Sequence, residues 1–185
     1  MSSRRPSSGP EADRRTDSDL HARLDAVERR LAAVEGVLAI HELKARYADL
    51  VDQRFVAGAV VAAPVLHRLA DDIAALFTDD GVWDGGRSLG VATGRDAIAA
   101  RLRQPTLVFS RHLFVNPRIN VDGRAGRGRW DLLSPCRRAE GTSYWMCGYE
   151  DDEYACVDGV WLHRAMRLTT VFMAPVGEGW TNVYV

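Results

Sequence analysis

The sequence lacks several features that would settle its class at once. It has 3 cysteines in 185 residues, Cys136, Cys147 and Cys156, with no CxxC spacing and no histidines spaced to join them, which argues against a disulfide framework and a thiolate zinc site. They read as reduced, mostly buried thiols. Neither sign of charge dominates: Lys and Arg number 24 against 25 Asp and Glu, so no general attraction to nucleic acid or to an acidic membrane is expected. The one basic concentration, Arg124, Arg127 and Arg129 among glycines, suits a solvated strand face or else a phosphate site. Long apolar runs are missing too. The longest, Phe55 to Leu66, is interrupted by Gly58 and Pro64 and is too short to span a bilayer. The glycine-rich dinucleotide motif, the phosphate-binding P-loop and the zinc-protease motif are all absent. No internal repeat is present, and no motif calls for a metal or a cofactor.

What is present is a globular composition, 46% apolar and 26% charged, on a length that suits one domain. Residues 1–18 are rich in Ser, Arg, Pro, Asp and Glu, too poor in apolar groups to offset the entropy of ordering, and are expected to form a disordered tail. They hold no apolar stretch that could act as a secretory signal, so a cytoplasmic protein is expected. Residues 19–185 are expected to form a single domain, starting with a helix capped by Ser18.

Leu20, Leu24, Val27, Leu31, Val34 and Leu38 recur at alternating spacings of four and three, the narrow seam of a coiled coil, which implies a partner surface and self-association. Gly36 is expected to divide this stretch from a wider apolar face, Ile40, Leu43, Tyr47, Leu50 and Val51, suited to packing on a sheet. A second helix is expected through Leu69 to Phe77 and a third over the GRDAIAARLR stretch. A short strand is expected around Trp83.

From Leu107 the period turns to alternation. Leu113, Val115, Ile119 and Val121 share one parity; His112, Phe114, Asn116, Arg118 and Asn120 share the other. Further strands are expected at 126–133, 143–149, 154–157 and 160–171, with Asp158 and Gly159 as a two-residue hairpin turn. Helices first and an antiparallel sheet afterwards make an α+β fold.

Three residues stand out for chemistry. His112, which can take and return protons near neutral pH, either faces a cavity or faces solvent. Asp52, an acid at a helix C-terminus where the dipole disfavours it, either pairs with a base or frays into water. Tyr47 is either plain core or a hydroxyl donor beside a pocket. Trp83, Trp130, Trp145 and Trp161 suit a large aromatic core or the lining of an apolar cavity.

The stretches IHELKARYADLVD, LFTDDGVW, RHLFVNPRINVDG and YEDDEYACVDGVW resemble, in order, the SnoaL-like branch of the nuclear transport factor two-like superfamily. The resemblance covers residues 20–172. It implies a cone-shaped fold in which a curved sheet wraps helices around a deep apolar pocket. It also implies cofactor-free elimination, as in the dehydratases and dehydrochlorinases of the group, on a small hydrophobic ring substrate. On this resemblance Asp52 and His112 become a proton-transfer pair assisted by Tyr47; Trp83, Phe114, Asn116 and Trp145 are expected to contact substrate. A homo-oligomer, dimer or trimer, is expected. The same three residues would serve an isomerase or a polyketide-cyclase-like enzyme, and the same cone would serve a ligand-binding or oxygenase-accessory protein without turnover. Two departures stand out. The arginine that the dehydratases carry in their last long strand falls on Thr170, with Arg164 and Arg167 out of register. Residues 54–68 look like an insertion at the pocket mouth.

Overall fold

A computed structural model describes residues 10–177. The α+β layout expected from the sequence is present: helices pack on a mixed, mostly antiparallel sheet. The elements in chain order are α1 (Pro10–Asp52), β1 (Phe55–Val56), β2 (Ala59–Val60), α2 (Ala63–Ala74), β3 (Phe77–Asp84), the one-turn α3 (Gly86–Leu89), β4 (Val91–Thr93), α4 (Arg95–Leu102), β5 (Leu107–Ser110), β6 (Leu113–Asp122), β7 (Ala125–Arg138), β8 (Ser143–Val157) and β9 (Val160–Pro175).

α1 is one continuous helix of 43 residues. It begins at Pro10, eight residues before the expected cap at Ser18, and Gly36 does not divide it. A proline at the start and no other in the helix fits this span, because proline is tolerated only in the first turn. Gly36 marks a close approach instead: a Cβ there would sit 3.0 Å from Val121 and 3.1 Å from Trp161. The part of the expected tail that covers residues 1–9 lies outside the described residues.

The seven-stranded sheet runs β4-β3-β9-β8-β7-β5, with β6 also paired to β7. All neighbours are antiparallel except β3 and β9. The segments expected as two strands at 143–149 and 154–157 are one strand, β8, and the turn at Asp158 and Gly159 takes the positive φ values, 50° and 83°, of a tight hairpin. Residues 54–68 form the β1–β2 hairpin, turning at Ala57 and Gly58 with φ 49° and 75°, and the first turn of α2.

β7 alternates throughout its middle, and β8 alternates from Trp145 to Tyr154. Gly126, Gly128, Trp130, Leu132, Ser134 and Cys136 are buried on the inner face, while Arg127 and Arg129 face water. The arginine stretch is thus a solvated strand face, on which Arg129 forms a two-pronged pair with Asp151 at 2.7 and 2.8 Å. The parity expected for β6 fails at a bulge. Val115 to Arg118 on β6 spans Asp131 to Arg129 on β7, one residue too many, and Asn116 adopts φ 48°. The extra residue exchanges the two faces: Phe114 points inward before it, Ile119 and Val121 after it.

The core lies between α1, α2 and α4 and the inner sheet face, with Ile40, Ile73, Phe77 and Ile98 wholly buried. It contains ions. Lys44 is 1% exposed and pairs with Glu150 and with Asp152, the latter at 2.7 Å. Tyr154 donates to Asp152 at 2.7 Å and accepts from the Trp130 indole at 2.9 Å. A charge removed from water this completely is tolerated only when paired and hydrogen-bonded, which two carboxylates achieve here. Burial alone would lower the Lys44 pKa, but Asp152 and Glu150 outweigh it and hold the ammonium above its ordinary value. Burial pushes the Asp152 carboxyl up to about 6 against the pull of Lys44.

Candidate active site

Asp52 is the last residue of α1 and is 8% exposed. Its carboxylate accepts the His112 backbone N–H, at 3.1 and 3.2 Å to its two oxygens, and lies 2.7 Å from His112 Nδ1. A carboxylate can only accept, so Nδ1 carries the proton and Nε2 is left as the basic nitrogen. These donors offset the unfavourable place of an acid at a helix C-terminus. Arg111 adds an ion pair to Asp52 at 3.3 Å from the exposed side. His112 is not in a strand: it occupies the break between β5 and β6.

His112 opens onto a cavity of about 70 Å³ whose walls include Tyr47, Trp83, Leu132, Met146 and Met166. An outer chamber of about 300 Å³ shares Leu89, Thr106, Leu107, Met146 and Leu168 with it. The inner space holds a few waters, so a ring-sized ligand must reach into the outer chamber. Tyr47 is 3% exposed and its oxygen accepts the Trp83 indole N–H at 3.1 Å, which leaves the phenol proton free to donate into the cavity. Burial and the nearby Glu150 hold the Tyr47 pKa far above that of a free tyrosine, so it acts as a neutral donor.

Polar groups that the sequence did not single out complete the walls. Glu150, the partner of Lys44, lies on one side, and Arg54 and Arg101 lie on another. Arg54 is 9% exposed and donates to the Val51 carbonyl at 3.0 Å. Burial lowers its pKa, with Tyr47 and Asp52 acting in the opposite direction. Arg101 donates to the Leu89 carbonyl at 2.8 Å. Among the described residues no three of His, Cys, Asp and Glu are grouped to hold a metal ion.

The family model of the SnoaL-like domain matches residues 32–167. The chain belongs to this family. No curated protein matches it by sequence. Solved structures share the SnoaL-like fold. A scytalone dehydratase candidate from Novosphingobium aromaticivorans is 21% identical over 81% of this chain and 91% of its own, with a TM-score of 0.63. Hexachlorocyclohexane dehydrochlorinase LinA-type3 from Novosphingobium barchaimii is 20% identical over 85% and 96%, with a TM-score of 0.64. An aromatic ring hydroxylase candidate from Novosphingobium aromaticivorans is 17% identical over 77% and 94%, with a TM-score of 0.63. Likeness at these identities speaks for the fold.

Within this SnoaL-like domain the structure brings together Tyr47, Asp52, His112 and Trp83. Three expected substrate contacts lie elsewhere. Phe114 stacks behind His112, ring centroids 5.9 Å apart at 26°, and supports the imidazole without lining the cavity. Asn116 sits in the β6 bulge, exposed, donating to Asp131 at 3.1 Å. Trp145 is 38% exposed on the outer face, since the inner positions of β8 have even numbers. Thr170 lines the outer chamber, whereas Arg164 and Arg167 face outward and Arg167 pairs with Glu153 at 2.9 Å. The cavity takes its cations from the end of α1 and from α4 instead of the last strand. The spacing that hid them is simple: Arg54 follows Asp52 by two residues, just past the helix end, where an arginine reads as solvated.

Proposed function

We propose that the chain is a cofactor-independent lyase that eliminates water, or a comparable leaving group, from a small hydrophobic ring substrate. The observation that carries this reading is the Asp52–His112 contact at 2.7 Å at the edge of an apolar cavity. In the reaction His112 Nε2 removes a proton from a carbon made acidic by a neighbouring carbonyl or electron-withdrawing group. The C–H electron pair becomes the new double bond and the leaving group departs from the adjacent carbon. Asp52 keeps Nδ1 protonated and stabilises the imidazolium that forms. Tyr47 donates to the oxygen that gains charge, and the buried Arg54 guanidinium beside it favours that charge electrostatically. For a departing hydroxide the proton held by His112 is returned to it, and for a departing halide that proton passes to solvent water, so in either case the protein ends unchanged. The family and the dehydratase and dehydrochlorinase names among its structural neighbours favour elimination over other uses of the same base.

The test is a panel of cyclic β-hydroxyketones and halogenated rings, followed for release of water or halide and for exchange of the acidic C–H with solvent deuterium. Turnover of at least one compound is expected, and His112→Ala should lower it by about 100-fold or more, the usual cost of losing a general base. Unchanged turnover in that variant overturns the mechanism.

A further inference from the structure

From Asp17 onward, the N-terminal part of α1 is helical without burial against the rest of the domain. From Asp17 to Ala32 no residue is buried, and Leu20, Leu24, Val27, Leu31, Val34 and Leu38 are 54–62% exposed. A lone helical segment of this length is marginal in water, and its stability normally comes from covering an apolar face. The first four of these side chains precede the residues matched by the SnoaL-like family model, which begins at 32. They belong to a feature that the catalytic cone does not require.

The seam assigns a heptad. With Leu24, Leu31 and Leu38 at a, and Leu20, Val27 and Val34 at d, the g positions are Arg23 and Arg30 and the e positions that follow them are Glu28 and Glu35. In parallel helices each g residue faces the e residue of the following heptad on the neighbour, which sets Arg23 against Glu28 and Arg30 against Glu35. In an antiparallel pair g meets g and e meets e, so arginine would meet arginine and glutamate would meet glutamate. Among the described residues none of these four side chains has an ion pair within its own chain. Gly36 falls at f, about 180° from the midpoint of Val34 and Leu38 on the helix, and it is the residue against which Val121 and Trp161 pack. The cone therefore sits on the far side of α1 from the seam and leaves room for a second helix.

We propose that the occupant of this seam is a second copy of the chain, in a parallel coiled coil over residues 20–38 whose register is set by Arg23–Glu28 and Arg30–Glu35 pairs between copies. The test is the mass of the full-length chain by sedimentation equilibrium across a concentration series. The unaltered chain is expected to form an assembly, and Leu24→Asp with Leu31→Asp to fall to the mass of one chain, with loss of helical signal confined to the N-terminal part of α1. R23E/R30E alone and E28R/E35R alone should each weaken association by roughly 30-fold or more, because attractive contacts become repulsive. All four changes together should restore it. These charge variants leave the apolar seam intact, so the proposal stays testable even if the aspartates disturb α1. A chain that is single at every concentration overturns the proposal. So does an assembly that survives in the aspartate variant, which would place the contact on the outer sheet face around Val171 and Phe172, or a fourfold variant that stays dissociated.

Discussion

At the scale of single residues, the geometry around His112 makes its tautomer a measurable quantity. Asp52 accepts from both the backbone N–H and Nδ1. Asp52→Asn keeps the shape but turns one acceptor into a donor. If the amide oxygen takes the backbone N–H, the amide nitrogen faces Nδ1 and forces the proton onto Nε2, blocking the nitrogen assigned as base. The expected outcome is a swap of the protonated nitrogen in the long-range ¹H–¹⁵N spectrum of His112, with turnover reduced by about 10²- to 10⁴-fold. An unchanged ring spectrum would contradict the assigned hydrogen bond. Each residue of this pair drew attention in the sequence by its own chemistry, an acid at a helix end and a base on the mixed face of an expected strand. Their meeting was not derivable from periodicity, because 60 positions separate them and only the tertiary fold closes the gap. Family order supplied what local pattern did not. Glu150 stayed hidden for a related reason: it lies in a run of four acids, Glu150 to Glu153, in which alternation sends two inward and two outward and composition suggests only a solvated edge.

At the scale of elements, the β6 bulge decides which face of the strand meets the core. Asn116 holds φ 48°, a conformation that asparagine tolerates and glycine adopts freely, whereas a β-branched side chain clashes there. Asn116→Val is expected to cost about 1–2 kcal/mol and Asn116→Gly close to nothing, read from urea midpoints. Equal losses in both would mean that the Asn116–Asp131 hydrogen bond, and not the backbone, is what matters. Alternation placed a strand here correctly, and it misassigned one half of the strand because a two-residue period has no memory of an inserted residue. The long helix was misread in the opposite sense. Gly36 looked like an interruption because glycine is a poor helix former, whereas its lack of a side chain is what lets Trp161 and Val121 pack against the helix backbone.

At the scale of the whole molecule, the buried polar network ties stability to pH on the alkaline side. Burial raises the pKa of Tyr47 and Tyr154, and Lys44 ends above its ordinary value despite burial because two carboxylates hold it. In the unfolded chain these groups lose protons near 10.0 for tyrosine and 10.5 for lysine. The folded state keeps all three protons there, so it binds more protons than the unfolded state. The stability they contribute is complete below pH 10 and falls as pH rises beyond it, at up to about 4 kcal/mol per pH unit with three protons involved. Denaturation midpoints measured from pH 9 to 11.5 should show this decline. A flat profile would mean that the network is open to water.

The parallel pairing of β3 with β9 carries a consequence for how the chain is made. β9 is not an edge: it lies between β3 and β8 and joins the early half of the sheet to the late half. A ribosome releases β3 long before β9, and until the β9 residues His163 to Arg167 emerge the two halves have no common strand. Lys44 likewise waits more than a hundred positions for its carboxylates. Vectorial synthesis therefore cannot close this sheet from the N-terminus forward; among the described strands, the one that joins its two halves is the last to be translated.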